Sequence, residues 1–196
     1  HFQLDVTGQV AIDLGASTGG FTDCLLQAGV KKIYAVDVGH GQLTWKLRNH
    51  SHVVVMEKTN ARHLTPDRMP QPFSLVDLVV IDCSFISLRK ILPPAVALLR
   101  PTGKIVALIK PQFEAGKEEI QRHKGVIRDK KIHARVLEHV MRQAQALGFQ
   151  TAGLIASPIT GSDGNAEFLL WLRLGRDEEN IAIQDAIARV IPPETD

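Results

Sequence analysis

Two cysteines in 196 residues are too few for a disulfide scaffold, and neither belongs to a Cys-x-x-Cys pair that would suggest a metal site. That usage suits a reduced, cytoplasmic interior. The eight histidines are scattered without the paired spacing of a zinc site, so no metal is expected. No apolar run approaches the roughly 18 residues of a membrane span, and no basic segment precedes an apolar stretch at the N-terminus. Neither secretion nor a stable membrane partner is expected. The common nucleotide signatures are missing as well. No Lys-Ser/Thr pair follows the first glycine turn, and Gly15, Gly19 and Gly20 do not have the spacing of G-x-G-x-x-G. A triphosphate site and an NAD site are both excluded on those grounds.

What is present is enough apolar material, 44% of the residues, to close one substantial core. The formal net charge is +2, unevenly spread. Residues 176–196 carry six acidic side chains against Arg176 and Arg189, leaving 21 basic and 15 acidic residues in 1–175, a net +6. This excess can attract a polyanion. The sequence therefore reads as a main domain over 1–175 and an acidic tail over 176–196, whose apolar spacing from Glu178 to Val190 suits a helix packed on the domain or on a partner. The chain begins at His1-Phe2 without an initiator methionine, which reads as a piece of a longer protein.

Apolar, β-branched runs recur at Val10–Leu14, Ile33–Val38, Val53–Met56, Leu75–Ile81, Ile105–Ile109 and Leu154–Ile155. Helix-compatible stretches near Phe21–Ala28, Leu43–Arg48, Leu88–Leu99 and Lys130–Leu147 separate them. Such alternation predicts an α/β fold with a mainly parallel sheet and helices on both faces. Leu99-Arg-Pro-Thr-Gly103 should break a helix before a strand. Phe168–Leu172 reads as the outer arm of a terminal hairpin with the strand near 152–156, bringing the sheet to seven strands. Trp45 and Trp171 alternate with leucines and are expected to pack in the core.

The chemistry gathers at strand ends. Asp13 closes the first strand and enters the turn Gly15-Ala16-Ser17-Thr18-Gly19, where an open α/β sheet can hold a nucleoside-bearing ligand. Asp13 could hold a backbone amide or a ligand amine; a plain β-to-α turn is the alternative. Asp37, ending the second strand, is placed to accept hydrogen bonds from both ribose hydroxyls, with helix capping as the competing role. Asn60 would lie over an adenine, or serve only in a turn, and His40 lies near the ribose site. Asp82 ends the fourth strand, Lys110 the fifth, and Glu167 starts the last. A lysine between two carboxylates is often a structural ion pair; beside a crevice it can instead approach a substrate hydroxyl, as a base or as support for a developing alkoxide. The segment from Lys110 to Arg135 holds eight basic and four acidic residues. Lys117, Arg122, Lys124, Arg128, Lys130 and Lys131 there form either a solvated face or, as preferred here, a loop and helix start contacting RNA phosphates.

These residues fall in blocks: Asp13-Leu-Gly-Ala-Ser-Thr-Gly-Gly-Phe-Thr22, Gly41-Gln-Leu-Thr-Trp45, Asp82-Cys-Ser-Phe-Ile-Ser-Leu88, Lys110-Pro-Gln-Phe-Glu114 and Ser157-Pro-Ile-Thr-Gly161. With them the chain, over about 9–174, resembles the TlyA-type family, bacterial proteins labelled haemolysins and characterised as ribosomal RNA 2'-O-methyltransferases with an FtsJ-like fold. The resemblance implies a Rossmann-like domain binding S-adenosylmethionine through Asp13, Gly15, Ala16, Ser17, Thr18, Gly19, Asp37, Asn60 and Asp82. It also implies methylation of a ribose hydroxyl. FtsJ-like enzymes use a Lys-Asp-Lys-Glu set, whose last three members match Asp82, Lys110 and Glu167.

The first lysine of that set belongs upstream of strand one, and no residue here matches it. An S4-type RNA-binding domain is likewise expected ahead of His1. Cys83 stands where a small apolar residue is more usual in the family. The partners implied are ribosomal RNA or ribosomal subunits, with oligomeric state left open. A noncatalytic RNA-binding or ribosome-associated remnant, a small-molecule methyltransferase and a cytolysin are the alternatives.

Overall fold

The computed structural model describes residues 1–175 and 180–192. Seven strands form one sheet in the order β3-β2-β1-β4-β5-β7-β6. They are β1 (Val10–Leu14), β2 (Lys32–Val36), β3 (Val53–Met56), β4 (Val76–Ile81), β5 (Leu99–Ile109), β6 (Phe149–Ala156) and β7 (Phe168–Leu174). Strands β1 to β5 pair in parallel, and β7 runs antiparallel to both β5 and β6. The helices are α1 (Gly20–Gln27), α2 (Trp45–Arg48), α3 (Leu92–Leu98), α4 (Pro111–Glu114), α5 (Lys117–Arg122), α6 (Lys130–Ala146) and α7 (Ile183–Val190). This is the Rossmann-like, mostly parallel α/β architecture that the strand and helix runs predict.

Period-two alternation sends each strand's apolar residues to two different cores. Ile12, Leu14, Val79, Ile81, Ile105 and Ala107 join α3, α6 and α7 in the larger one, while Ala11, Leu78, Val80 and Val106 join Leu25 of α1 and Val6 in the other. Asp13 lies on the α1 side, between apolar neighbours, and this placement sets its electrostatics.

Four expectations need correction. The last strand is not an outer arm: β7 fills the slot between β5 and β6, so β6 is the edge. The apolar run Phe168–Leu172 presents side chains to both faces of an interior strand, whereas Gln150, Thr151 and Gly153 suit an edge. Leu99–Gly103 ends α3 as expected, yet it also opens β5. A register shift between Val76 and Leu78 absorbs the extra residues, and Arg100 spans it by donating to Leu75 O at 2.9 Å and pairing with Asp77 at 2.6 Å. Trp45 is 79% exposed: it is the first residue of α2, whose buried face carries Leu47, and Leu43 is buried from the loop ahead of the helix. Part of the expected loop between Lys110 and Arg135 is the helix α5.

Trp171 is partly buried, its ring 5.5 Å from that of Phe2. Within the tail, α7 buries Ile183, Ala186 and Ile187; residues 176–179 and 193–196 lie outside the described residues. Among the described residues no helix is long and apolar enough to cross a membrane.

Candidate active site

Chain order reverses at β1, which has β2 on one side and β4 on the other. The crevice beyond the carboxyl ends of such strands is the expected ligand site of an open α/β sheet. A cavity of about 480 Å³ opens there, lined among others by Gly15, Ser17, Asp37, Asn60, Asp82 and Phe85. Gly15 is required at its floor: it has φ +87°, and a Cβ would overlap the carbonyl of Asp82. Gly15 N and Ala16 N donate to Val36 O at 2.9 and 3.1 Å, tying the loop to β2.

Asp37 organises the rim. One carboxylate oxygen accepts from Ser17 N at 2.8 Å and the other from Gly39 N at 2.7 Å. A carboxylate offers about four lone-pair sites, so these two bonds leave capacity for a ligand hydroxyl. The loop after Asp37 is held from β3 by Glu57, which accepts from Gly41 N at 2.8 Å and Arg48 and pairs with His40 at 2.9 Å. His40 thus braces the rim from an exposed position, and Gln42 of the same loop lines the cavity. Asn60 lines the cavity and also caps the following turn by accepting from Arg62 N at 3.1 Å.

Asp13, Ala16, Thr18 and Gly19 shape the loop without lining the cavity. Asp13 is 1% exposed and accepts from Thr22 Oγ1 at 2.7 Å, while its other oxygen has no partner. The carboxyl faces α1, where the Thr22 hydroxyl and backbone amide lower its pKa by hydrogen bonding, in keeping with the backbone amide expected there. Burial pushes its pKa up to about 6; Thr22 works against the rise and the charges of Asp82 and Asp37 add to it. A Cβ at Gly19 would overlap Leu47, so that glycine lets α2 close on the loop.

Beside the cavity the structure gathers the three strand-end charges. Lys110 Nζ lies 2.6 Å from Asp82 Oδ1 and donates to Ser84 Oγ at 3.0 Å. Glu167 is buried to 8% exposure; burial raises its pKa, the Lys110 charge opposes the rise and Asp82 reinforces it. Gly161 makes room for Glu167, since a Cβ there would overlap its carboxylate. The Cys83 thiol is pushed up to about 12 by burial and by the carboxylates of Asp82, Asp13 and Asp37, so it is a neutral space-filling group.

Several supports were not found from sequence. Glu114 accepts from Ser87 Oγ and from Leu88 N, each at 2.7 Å, binding the loop after β4 to the helix after Lys110. Asn165 accepts from Ile127 N and donates to Gly125 O, each at 3.1 Å, tying the basic segment to the start of β7. Phe85 is 91% exposed at the cavity mouth, its ring 5.0 Å from that of Phe113. Glu114, Ser87, Leu88, Phe85 and Phe113 lie within the sequence blocks, which is the one signal they offered; Asn165 lies outside them.

Lys117, Arg122, Lys124, Arg128, Lys130 and Lys131 are exposed. Lys130 and Lys131 open α6, where the helix dipole disfavours cations. Arg135 is instead paired with Glu119.

This strand order, switch-point cavity and terminal antiparallel strand define a protein of the α/β methyltransferase fold. The N-methyltransferase NodS of Bradyrhizobium japonicum shares that fold at 16% identity, with TM-score 0.59 over 89% of this chain and 91% of NodS. The FtsJ-like methyltransferase model matches residues 1–174, and the chain belongs to that family. It is 47% identical over 192 residues to the 16S/23S rRNA (cytidine-2'-O)-methyltransferase TlyA of Mycobacterium tuberculosis, covering 97% of this chain and 70% of that protein. A hemolysin-labelled structure from Streptococcus thermophilus superposes with TM-score 0.88 at 46% identity, over 96% of this chain and 68% of the other.

Proposed function

We propose that the protein transfers a methyl group from S-adenosylmethionine to a ribose 2'-hydroxyl of ribosomal RNA. The observation that carries this reading is the Lys110 amine, held 2.6 Å from Asp82 and 3.0 Å from Ser84 beside a nucleoside-sized cavity. The residues present fit the cofactor: Gly15 lets the turn after β1 close on Asp82 at the cavity wall, Asp37 retains acceptor capacity for ribose hydroxyls, and Asn60 and Gln42 supply amides along the wall. When bound, S-adenosylmethionine supplies an electrophilic methyl group on a sulfonium.

The remaining chemistry belongs to the chain. Lys110 receives the hydroxyl proton as the oxygen–methyl bond forms and the sulfur–methyl bond breaks. A free lysine has a pKa near 10.4, so the amine first gives up its own proton to solvent; the neutral form then takes the hydroxyl proton late, once methylation has made the hydroxyl strongly acidic. Asp82 orients the amine and steadies its charge, and Glu167 places a second carboxylate near it. Lys117, Arg122, Lys124, Arg128, Lys130 and Lys131 contact RNA phosphates and position the substrate without reading bases. Residues 1–175 constitute the catalytic domain with α7 covering it, and an S4-type domain ahead of His1 would add RNA affinity. Ribosomal RNA as substrate places the activity in the cytoplasm.

The activity named for the TlyA relative and the family membership support this reading. The test is methyl transfer by the full-length protein to ribosomal subunits. Lys110→Ala is expected to lower the rate at least about a hundredfold, the usual scale of a lost general base. An unchanged rate overturns the assignment.

A further inference from the structure

Ser84 has no role in the reading above beyond its contact with the amine, yet its loop is built to hold it still. At one end Asp82 N donates to Leu14 O at 2.9 Å; at the other, Ser87 and Leu88 are fixed on Glu114. Between them Phe85 adopts φ +62°, a conformation uncommon for a bulky side chain and often retained where function requires a strained turn. Ser84 and Asp82 line the same cavity, and both meet Lys110.

The geometry at nitrogen gives this pair a meaning. A neutral primary amine carries two N–H donors and one lone pair in tetrahedral directions. Asp82 attracts the amine by charge across 2.6 Å, but its Oδ1 is not in hydrogen-bond geometry, so this contact leaves the amine free to rotate. A hydrogen-bond acceptor on a fixed loop restricts that rotation and narrows the directions open to the lone pair. We propose that Ser84 is a positioning residue for methyl transfer: by accepting an N–H of the Lys110 amine, it sets the direction in which that amine takes the substrate proton. The assignment rests on Lys110 acting as described under Proposed function. In that step the hydroxyl proton moves to Nζ, the oxygen bonds the methyl carbon, and the carbon–sulfur electron pair stays on sulfur, leaving a neutral thioether.

The experiment uses the full-length protein with Ser84→Ala, Ser84→Thr and Lys110→Ala. Side-chain NMR follows the Lys110 titration without cofactor, with Lys110→Ala assigning the resonance. Single-turnover transfer is measured from radiolabelled S-adenosylmethionine to ribosomal subunits. A bond to the ammonium is charge-assisted and favours the charged form. Ser84→Ala is therefore expected to titrate at lower pH than wild type. Its transfer rate should fall about tenfold through lost orientation, with KM for the subunits changing less than about twofold. Ser84→Thr, which keeps the hydroxyl, should restore both. Unchanged titration and rate in Ser84→Ala, with Lys110→Ala inactive, overturn the Ser84 assignment alone. Full transfer by Lys110→Ala overturns the Lys110 reading and this one with it.

Discussion

Asp13 offers a quantitative test of how the first strand carries its buried carboxylate. Its pKa stands at about 6 in the folded chain against 3.8 for the ordinary group, a rise of about 2 units. At 1.36 kcal/mol per unit, ionising it in place costs about 3 kcal/mol of stability at pH 7. Between pH 4 and 6 the folded state holds a proton that the unfolded chain has released, so stability falls as pH rises through that window and is level above it. Asp13→Asn keeps an acceptor for Thr22 Oγ1 but cannot ionise. Its amide N–H₂ would occupy the site of the oxygen that has no partner, at a cost of about 1–3 kcal/mol. The variant is therefore expected to be less stable than wild type at pH 4 and about equal or more stable at pH 7. The difference between the two proteins should change by about 3 kcal/mol across the window. Urea unfolding of both proteins at pH 4, 5, 6 and 7 measures it, and titrating groups other than Asp82 and Asp37, whose charges interact with Asp13, cancel in the difference. A difference that stays constant with pH would refute the argument.

Two further outcomes follow from the site. Gly15→Ala forces a Cβ onto the Asp82 carbonyl at φ +87° and should cost about 1–3 kcal/mol in unfolding experiments while weakening S-adenosylmethionine binding in calorimetry. A wild-type unfolding midpoint would contradict the close approach. Replacing Lys117, Lys124 and Lys131 by Gln should weaken RNA binding and flatten its dependence on salt by about 0.7–0.9 log units per lost phosphate contact, with cofactor affinity unchanged. An unaltered salt slope would leave that surface as a solvated face.

The parallel strands were legible because each is a short β-branched run buried on both faces, and α6 because its apolar spacing persists over 17 residues. Strand order within the terminal hairpin was not. Position 45 shows a second limit: the segment was read as helical, yet a residue two positions from each buried leucine shares their face only on a strand, so the alternation did not justify burying Trp45. Asp82, Lys110 and Glu167 stood out as charges at strand ends, and the fold brings them to one place. Their supports Ser84, Glu114 and Asn165 were hidden because each acts through a contact 26 to 40 residues away, which local spacing does not encode, and Gly161 because its role is only the room it leaves for Glu167. For Asp13 the position in the turn was plain, but which way its carboxyl faced depended on the packing of α1.

The most direct test of the account is where the methyl group ends up. A ribose 2'-O-methyl group removes the hydroxyl that attacks the neighbouring phosphate in alkali, so the modified linkage survives hydrolysis. Ribosomal RNA treated with the full-length protein and radiolabelled S-adenosylmethionine should yield its label in an alkali-resistant dinucleotide, and no label after treatment with Lys110→Ala. Label recovered on a base, in a fully hydrolysed mononucleotide, would contradict proton removal from a sugar hydroxyl by Lys110.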